Sequence, residues 1–240
     1  MEKKKLVEIK RGEEGHGLLI EHDGYISIDC GNNKQLFESF RNLNENSEKP
    51  FHCPNPFIVD AVFQKFGIEN ANGRIYPEAI LKREVEKYQI KIEERRAIGE
   101  CNHPSESVID LSRVAINIIE LHWEGHTLVG KMEILVSEGF RRSGIISCQG
   151  DQVAHLLLSG IKIGVSSRGL GTVTNKMGVL YVGDDFEIVC WDVVSDPSTP
   201  QAWIAPEGQI KQQWVESDNT HKNKSQLLEK LENFNDWLNE

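Results

Sequence analysis

The sequence predicts an α+β fold in which antiparallel strands dominate. The β-like runs are 57–68, 113–123, 128–135, 161–167, 172–182 and 186–195. Two of these runs are joined by a turn at Glu124-Gly125, as neighbouring antiparallel strands are. Only a few segments carry apolar residues at the 3.6-residue spacing of a helix. We therefore expect a strand-rich domain with a small number of helices.

Residues 1–50 are predicted to be an N-terminal β extension and linker, outside a main domain at 51–208. The segment Gly17 to Asp29 has the pattern of a hairpin that turns at Asp23-Gly24. Residues 42–50 show no hydrophobic periodicity and are rich in Asn and Glu, which indicates a linker.

Helices are predicted at three places. Pro77 suits the first turn of a helix whose apolar face carries Leu81, Val85, Tyr88 and Ile92. Asp151 is predicted to cap a short helix that ends at Gly160. Residues 209–240 are predicted to form a polar linker and a C-terminal amphipathic helix with Leu227, Leu231, Phe234 and Leu238 on one face.

Composition excludes several classes of protein. The net charge is −10 and no long basic stripe offsets it, which argues against nucleic-acid binding. No apolar run reaches membrane-spanning length, and the N-terminus lacks the hydrophobic core of a signal peptide. The five cysteines include no Cys-x-x-Cys pair, which indicates reduced thiols in an intracellular protein.

The segment from Ile161 to Gly171 is the strongest candidate for a functional site. Alternating Ile161, Ile163 and Val165 predict a strand with one buried face, and two serines, an arginine and two glycines follow. A serine at the end of a rigid strand, beside flexible backbone with free N–H groups, can act as a nucleophile next to an oxyanion site. A sheet edge with an ordinary turn has the same pattern.

His103 is the strongest candidate for a base that would activate such a serine. It precedes Pro104, which favours extended backbone and so directs the imidazole ring. Histidine is the usual base for serine because its pKa lies near neutrality. His122 and His126 have a spacing used for zinc on helices, but Gly125 lies between them in a predicted turn. We expect no metal and no other cofactor.

Five motifs in order extend this interpretation to a family. They are Asn70-Ala-Asn-Gly-Arg-Ile-Tyr-Pro77, Gly99-Glu-Cys-Asn-His-Pro104, Asp110-Leu-Ser-Arg-Val114, Gly164-Val-Ser-Ser-Arg-Gly169 and Asp192-Val-Val-Ser-Asp-Pro-Ser198. In these motifs, over residues 57–205, the chain resembles the prohead proteases of tailed bacteriophages, especially those of the T4 type.

The resemblance implies a serine endopeptidase with a herpesvirus-assemblin-like fold, a β-barrel ringed by helices. Such enzymes act inside the assembling phage prohead, in the cytoplasm of the bacterial host. Their substrates are scaffold or core proteins and the major capsid protein; a homo-oligomer is left open. The alternative is a non-enzymatic scaffold or head-interior protein that has kept the protease fold.

The resemblance also implies roles for individual residues. By position, His103 would be the general base and Ser166 the nucleophile, with Ser167 as the competing nucleophile. Asp192 would orient His103 and stabilise its imidazolium form. Asp110 and Glu100 are the alternatives for this third member because they are closer to His103 in sequence.

For the oxyanion, we expect backbone N–H groups from Ser167 to Gly169, with Arg168 contributing charge or fixing the loop. The family pattern further implies cleavage after glutamate with Leu or Ile two positions earlier. The sequence offers this pattern at Leu6-Val-Glu8 and Leu227-Leu-Glu229, outside the predicted core. Self-trimming is therefore predicted at Glu8, at Glu229 or at both.

Overall fold

The computed structural model of the chain describes residues 7–21 and 53–210. In chain order, the strands are β1 (Gly15–Ile20), β2 (Ile58–Lys65), β3 (Arg74–Ile75), β4 (Ile98–Glu100), β5 (Val114–Glu124), β6 (Thr127–Ile134), β7 (Gly164–Lys176), β8 (Val179–Val182), β9 (Glu187–Val194) and β10 (Ile204–Pro206). The α-helices are α1 (Glu78–Glu93), α2 (Glu138–Ser143) and α3 (Gln149–Leu158), and Leu111–Arg113 forms a 3₁₀ turn. The predicted α+β class with a majority of strands is confirmed.

The described strands form two five-stranded sheets. One sheet has the order β1-β7-β8-β3, with β9 also paired to β7; the other has the order β10-β2-β6-β5-β4. Among these strands every pairing is antiparallel except that of β3 with β8. The middle of β7, from Arg168 to Leu170, therefore lies between two neighbours, β1 and β9, and β7 is the central strand of its sheet.

The closed β-barrel expected from the family resemblance is not confirmed. In the described part of the chain, no strand of one sheet pairs with a strand of the other, and the backbone contacts between the sheets include the isolated bridges Cys101 to Val193 and Gly164 to Trp203. The strands at these edges, β4 and β10, have three residues each. The predicted turn at Asp23-Gly24, the linker at 42–50 and the C-terminal helix lie outside the described residues.

Strand β7 is longer than the sequence predicted. A break was expected near Gly169 and Gly171, but the strand runs through both glycines to Lys176. A Cβ atom on Gly169 would stand 2.4 Å from Cε2 of Phe186, and one on Gly171 would stand 3.0 Å from its Cα. These glycines therefore allow the close approach of Phe186 and do not end the strand.

Helix α1 begins directly after Pro77, as predicted, and packs its apolar face on the core. Leu81, Val85 and Tyr88 are buried, and Tyr88 makes an edge-on contact with Trp191 at 4.9 Å between ring centroids. Full burial of side chains of this size contributes about 1.5–3 kcal/mol each. None of the helices in the described ranges has the length and apolarity needed to cross a bilayer.

Asp151 takes part in capping α3, as expected, but from the third helical position and not as the N-cap: its carboxylate accepts a hydrogen bond from the Cys148 N–H. The N-cap is Cys148, and Asp151 lies in the first turn, where its carboxylate accepts hydrogen bonds from the backbone and hydroxyl of Ser137 and of Ser147. Ser137 is the N-cap of α2, a helix the sequence did not predict. Burial of Asp151 acts to raise its pKa, but the hydrogen bonds outweigh it and lower the pKa from 3.8 to about 2.

This carboxylate is expected to make stability depend on pH. Its pKa is lower in the folded state, so its contribution is complete above the ordinary value of 3.8 and is lost as pH falls towards about 2. Asp151→Asn should lower the free energy of unfolding by an amount on the order of 2 kcal/mol at pH 7 and by less at pH 3. Urea unfolding at both pH values measures this difference. Glu138→Gln, in an exposed ion pair on α2, is the control and should change little at either pH.

Candidate active site

The site is organised by the pairing of β7 with β9. Ser166 lies directly opposite Asp192 in this antiparallel ladder, and Ser167 lies opposite Trp191. Directly paired residues project from the same face of a sheet, and successive residues project from opposite faces. Ser166 therefore shares its face with Asp192, whereas Ser167 projects to the face of the buried Trp191.

His103 reaches this face from the other sheet. It lies in the loop that follows β4, and the N–H of Asn102 holds the loop against β9 by donating to the carbonyl oxygen of Val193 at 2.8 Å. Asn102 has a φ of 67°, a left-handed conformation that asparagine tolerates better than most residues. The result is a buried contact of 2.8 Å between His103 Nδ1 and Asp192 Oδ2.

Asp192 is held as a carboxylate. Burial acts to raise its pKa, but the contact with His103, the charge of Arg168 and the backbone N–H of Glu100 lower the pKa below its ordinary range. The Glu100 N–H donates to Oδ1 at 2.9 Å, and Arg168 Nε lies 3.0 Å from Oδ2. An ionised Asp192 can fix the imidazole tautomer of His103 and stabilise a positive charge on the ring.

Arg168 is completely buried and joins several parts of the site. Its guanidinium lies 3.5 Å from Glu100 Oε2, in addition to its ion pair with Asp192. Its Nη1 donates to the carbonyl oxygen of Glu106 at 2.6 Å, which fixes the loop that carries His103. One arginine thus balances buried negative charge and anchors the histidine loop.

The two alternative acids occupy other positions. Asp110 accepts hydrogen bonds from the backbone and hydroxyl of Ser112. Glu100 is buried, with one oxygen accepting from the Asp110 N–H and the other near Arg168. Of the three candidate acids, Asp192 is the one with a hydrogen bond to the His103 ring in the structure.

The two serines have different partners. The Ser166 hydroxyl donates to the backbone carbonyl of Glu21 at 2.8 Å, and Ser166 is fully buried beneath that segment. The Ser167 side chain lies near the Tyr76 hydroxyl on the opposite face. The sequence predicts Ser166 at the end of a strand, whereas in the structure it is the third residue of β7.

Backbone donors on the β1 edge of β7 can be assigned from the ladder. The carbonyl of Ser167 accepts from the Glu21 N–H at 3.3 Å. In extended backbone the N–H and C=O of one residue point to the same side, so the Ser167 N–H also faces Glu21. Gly169 has the same orientation, because it lies two residues further along and pairs with Leu19. Arg168, between them, directs its N–H towards β9.

Glu21 is a site residue that sequence reasoning missed. Its side chain is 1% exposed, although glutamate is almost never buried without partners. Its carboxylate lies in a pocket of hydrogen-bond donors, which we term the carboxylate pocket: Asn70, Asn72, Arg74, Tyr76 and Ser198. A signal was available, because Leu19-Ile20-Glu21 has the same Leu-x-Glu form as the triplets considered at Glu8 and Glu229.

Potential metal ligands are dispersed in the described part of the chain. Within residues 7–21 and 53–210, no group of three or more His, Cys, Asp or Glu side chains could hold a metal ion. On β5, the His122 ring contacts Glu120 Oε1 at 3.0 Å and Glu124 Oε1 at 3.4 Å. The cysteines in these ranges are free thiols.

The chain is similar in sequence and in structure to known proteins. The family model described as "Prohead core protein serine protease" matches residues 18–214. The chain is 28% identical over 187 residues to the prohead core protein protease of Enterobacteria phage T4, covering 77% of this chain and 84% of that protein. It is also similar to the structure of the bacteriophage T4 capsid assembly protease gp21, with a TM-score of 0.52 and 28% identity over 57% of this chain and 80% of that one.

Proposed function

Because the chain belongs to the family of prohead core protein serine proteases, we propose that it is a serine endopeptidase acting inside the assembling phage head in the host cytoplasm. Its substrates are the core or scaffold proteins and the major capsid protein, cut after glutamate in Leu/Ile-x-Glu sequences. For the fold, we propose the herpesvirus-assemblin-like barrel that the family resemblance implies. The observation that carries the mechanism is the 2.8 Å contact of His103 with Asp192, on the face that also bears Ser166.

In this mechanism His103 takes the proton of Ser166 as the serine oxygen attacks the scissile carbonyl carbon. Asp192 holds the imidazole through Nδ1, which leaves Nε2 as the proton-accepting atom, and stabilises the imidazolium. The Ser167 N–H lies on the β1 edge of β7 and is our candidate donor to the oxyanion. The Gly169 N–H, on the same edge two residues further along, is the second candidate. Arg168 acts as a positioning residue, because its contacts are with Asp192 and the histidine loop.

One observation favours the alternative of a non-enzymatic head-interior protein. Ser166 is fully covered and its hydroxyl is already bonded to Glu21, as an inert structural serine would be. The intact His103–Asp192 pair favours the enzyme. Burying this pair costs free energy because both groups lose their hydration, and apolar residues in the same place would stabilise the fold at least as well. A buried pair of this kind is therefore better explained by catalysis than by stability.

A peptidase assay with active-site labelling separates the two functions. The purified chain should cut a fluorogenic Leu-x-Glu peptide, and a fluorophosphonate should form an adduct that peptide mapping places on Ser166. EDTA should leave the rate unchanged, because the mechanism uses no metal. If the chain shows no cleavage and no labelling, the non-enzymatic alternative is correct. If EDTA abolishes the activity, the mechanism is metal-dependent and the serine mechanism is wrong.

A further inference from the structure

Glu100 carries a buried charge to which the mechanism above gives no role. It is the last residue of β4 and is completely buried, although glutamate is almost never buried without a partner. Its backbone N–H donates to Asp192 Oδ1, but its carboxylate extends elsewhere, where Oε1 accepts a hydrogen bond from the Asp110 N–H. A carboxylate that is this costly to bury requires a physical reason.

Two guanidinium groups face the second oxygen of this carboxylate. Arg168 Nη2 lies 3.5 Å from Glu100 Oε2, and Arg113 Nε lies 3.7 Å from the same oxygen. Both distances exceed that of a direct N–H···O hydrogen bond, so the interaction is mainly between charges. Arg168 is fully buried and Arg113 is partly exposed, which makes the charge of Arg168 the less screened of the two.

Arg168 is shared between two carboxylates. Its Nε lies 3.0 Å from Asp192 Oδ2, the oxygen that also contacts His103 Nδ1. One positive and two negative charges leave the group of Glu100, Arg168 and Asp192 with a net charge of −1. Without Glu100 the group would be neutral, and Arg168 would balance Asp192 where the imidazolium of His103 forms.

The other titratable groups around the pair of His103 and Asp192 are uncharged or nearer to solvent. The set that faces the pair is Cys190 on β9, Arg168 on β7, Glu100 and Cys101 at β4, Tyr88 and Lys91 on α1, and Asp110 and Arg113 at the 3₁₀ turn. Burial raises the pKa of Cys190, Cys101 and Tyr88, so all three are neutral at pH 7. The Lys91 ammonium donates to the carbonyl oxygen of Val189. Glu100, Arg168 and Asp192 are fully buried, so their charges are the least screened of the set.

We propose that Glu100 is a positioning residue of the proteolytic reaction: it neutralises Arg168, so that the negative charge of Asp192 stays available to the imidazolium of His103. Glu100 acts through Arg168 and Asp192 and takes no proton itself. Arg168 can then anchor the histidine loop without weakening the charge that stabilises the base. This inference rests on the proposed function, in which Ser166 is the nucleophile and His103 the base.

The dependence of kcat/KM on pH tests the role of this charge. Glu100→Gln removes the charge but keeps the length of the side chain and an oxygen that can accept from the Asp110 N–H. It should lower kcat by about tenfold with little change in KM. It should also move the midpoint of the acid limb of kcat/KM to lower pH by about half a unit or more, because the protonated ring loses a nearby negative charge. Loss of packing alone would lower the activity without moving the midpoint.

A second variant should move the midpoint in the opposite direction. Arg113→Gln removes a positive charge that faces Glu100, so the acid limb should move to higher pH, by less than in Glu100→Gln because Arg113 is partly exposed. Arg113→Lys keeps the charge and should restore the midpoint of the unmodified chain. Glu86→Gln, the same chemical change as Glu100→Gln at an exposed position of α1, is the control and should leave the midpoint in place. If Glu100→Gln does not fold, the two Arg113 variants decide the question.

The outcomes separate this inference from the proposed function. If the unmodified chain cuts a Leu-x-Glu peptide and the Glu100→Gln and Arg113→Gln variants keep its midpoint, the inference is wrong, the proposed function stands and Glu100 only anchors the Asp110 loop. A shift to higher pH in Glu100→Gln would also overturn the inference. If the unmodified chain neither cuts the peptide nor reacts with a fluorophosphonate, the proposed function is wrong and the inference fails with it.

Discussion

Ser166→Ala is expected to lower kcat/KM for a Leu-x-Glu peptide by a factor on the order of 10⁵, with the fold intact. Removal of the hydroxyl removes the atom that forms the acyl-enzyme, so only binding and the oxyanion donors remain to accelerate the reaction. The structural loss is one hydrogen bond, from Ser166 to Glu21, worth about 1 kcal/mol. Steady-state kinetics and a thermal unfolding curve measure the two quantities on the same preparation.

Ser167→Ala is the matched control for this change. Its hydroxyl lies on the opposite face, against Tyr76, and its loss should reduce kcat/KM by less than about tenfold. His103→Ala should be as inactive as Ser166→Ala, and the double variant should lose no further activity, because the two residues act as one unit. If Ser166→Ala keeps full activity and Ser167→Ala loses it, the nucleophile is Ser167.

Asp192→Asn is expected to lower kcat by a factor on the order of 10³ to 10⁴ with little change in KM. An asparagine can present its NH₂ group to His103 Nδ1, which stabilises the tautomer that cannot accept the serine proton. It also removes the negative charge that balances the imidazolium formed during attack. Measuring kcat and KM separately distinguishes this effect from a loss of substrate binding.

Asp110→Asn is the control for Asp192→Asn, because it makes the same chemical change at the acid nearer in sequence to His103. Its carboxylate is bonded to Ser112, so its activity should stay within about threefold of the unmodified chain. If Asp110→Asn loses activity to the extent expected for Asp192→Asn, the third member of the site is Asp110. Thermal unfolding of both variants guards against a loss of fold, since Asp192 also pairs with Arg168.

Features that depend on local pattern were predicted well from the sequence. Helix α1 follows from Pro77 and a stripe of apolar residues, and β5 and β6 follow from two β-like runs joined at a turn. Strand β7 was predicted too short because Gly169 and Gly171 look like breaks. Their role becomes visible only once Phe186, distant in sequence, packs against them.

The candidate site depends on contacts between distant segments, so the residues alone left it open. The contact of His103 with Asp192 spans 89 positions, and only the resemblance to a family suggested it. The partners of Glu21 lie 49 to 177 positions away, and no local pattern links a glutamate to such a pocket. Asp151 was misplaced for a related reason: its hydrogen bond to Ser137 joins α3 to a helix that the sequence did not reveal.

His103, the proposed base, follows β4 in one sheet, and Asp192 lies on β9 in the other; we term the backbone contact between β4 and β9 beside them the seam. Beside the seam's Cys101–Val193 bridge, the Asn102 N–H donates across it to Val193, next to Asp192. Opening of these bonds would loosen the loop that carries His103 from β9, a local event that costs less free energy than global unfolding. Hydrogen–deuterium exchange at the Asn102 amide therefore measures how often the loop that carries His103 opens away from β9, and this measurement needs no substrate.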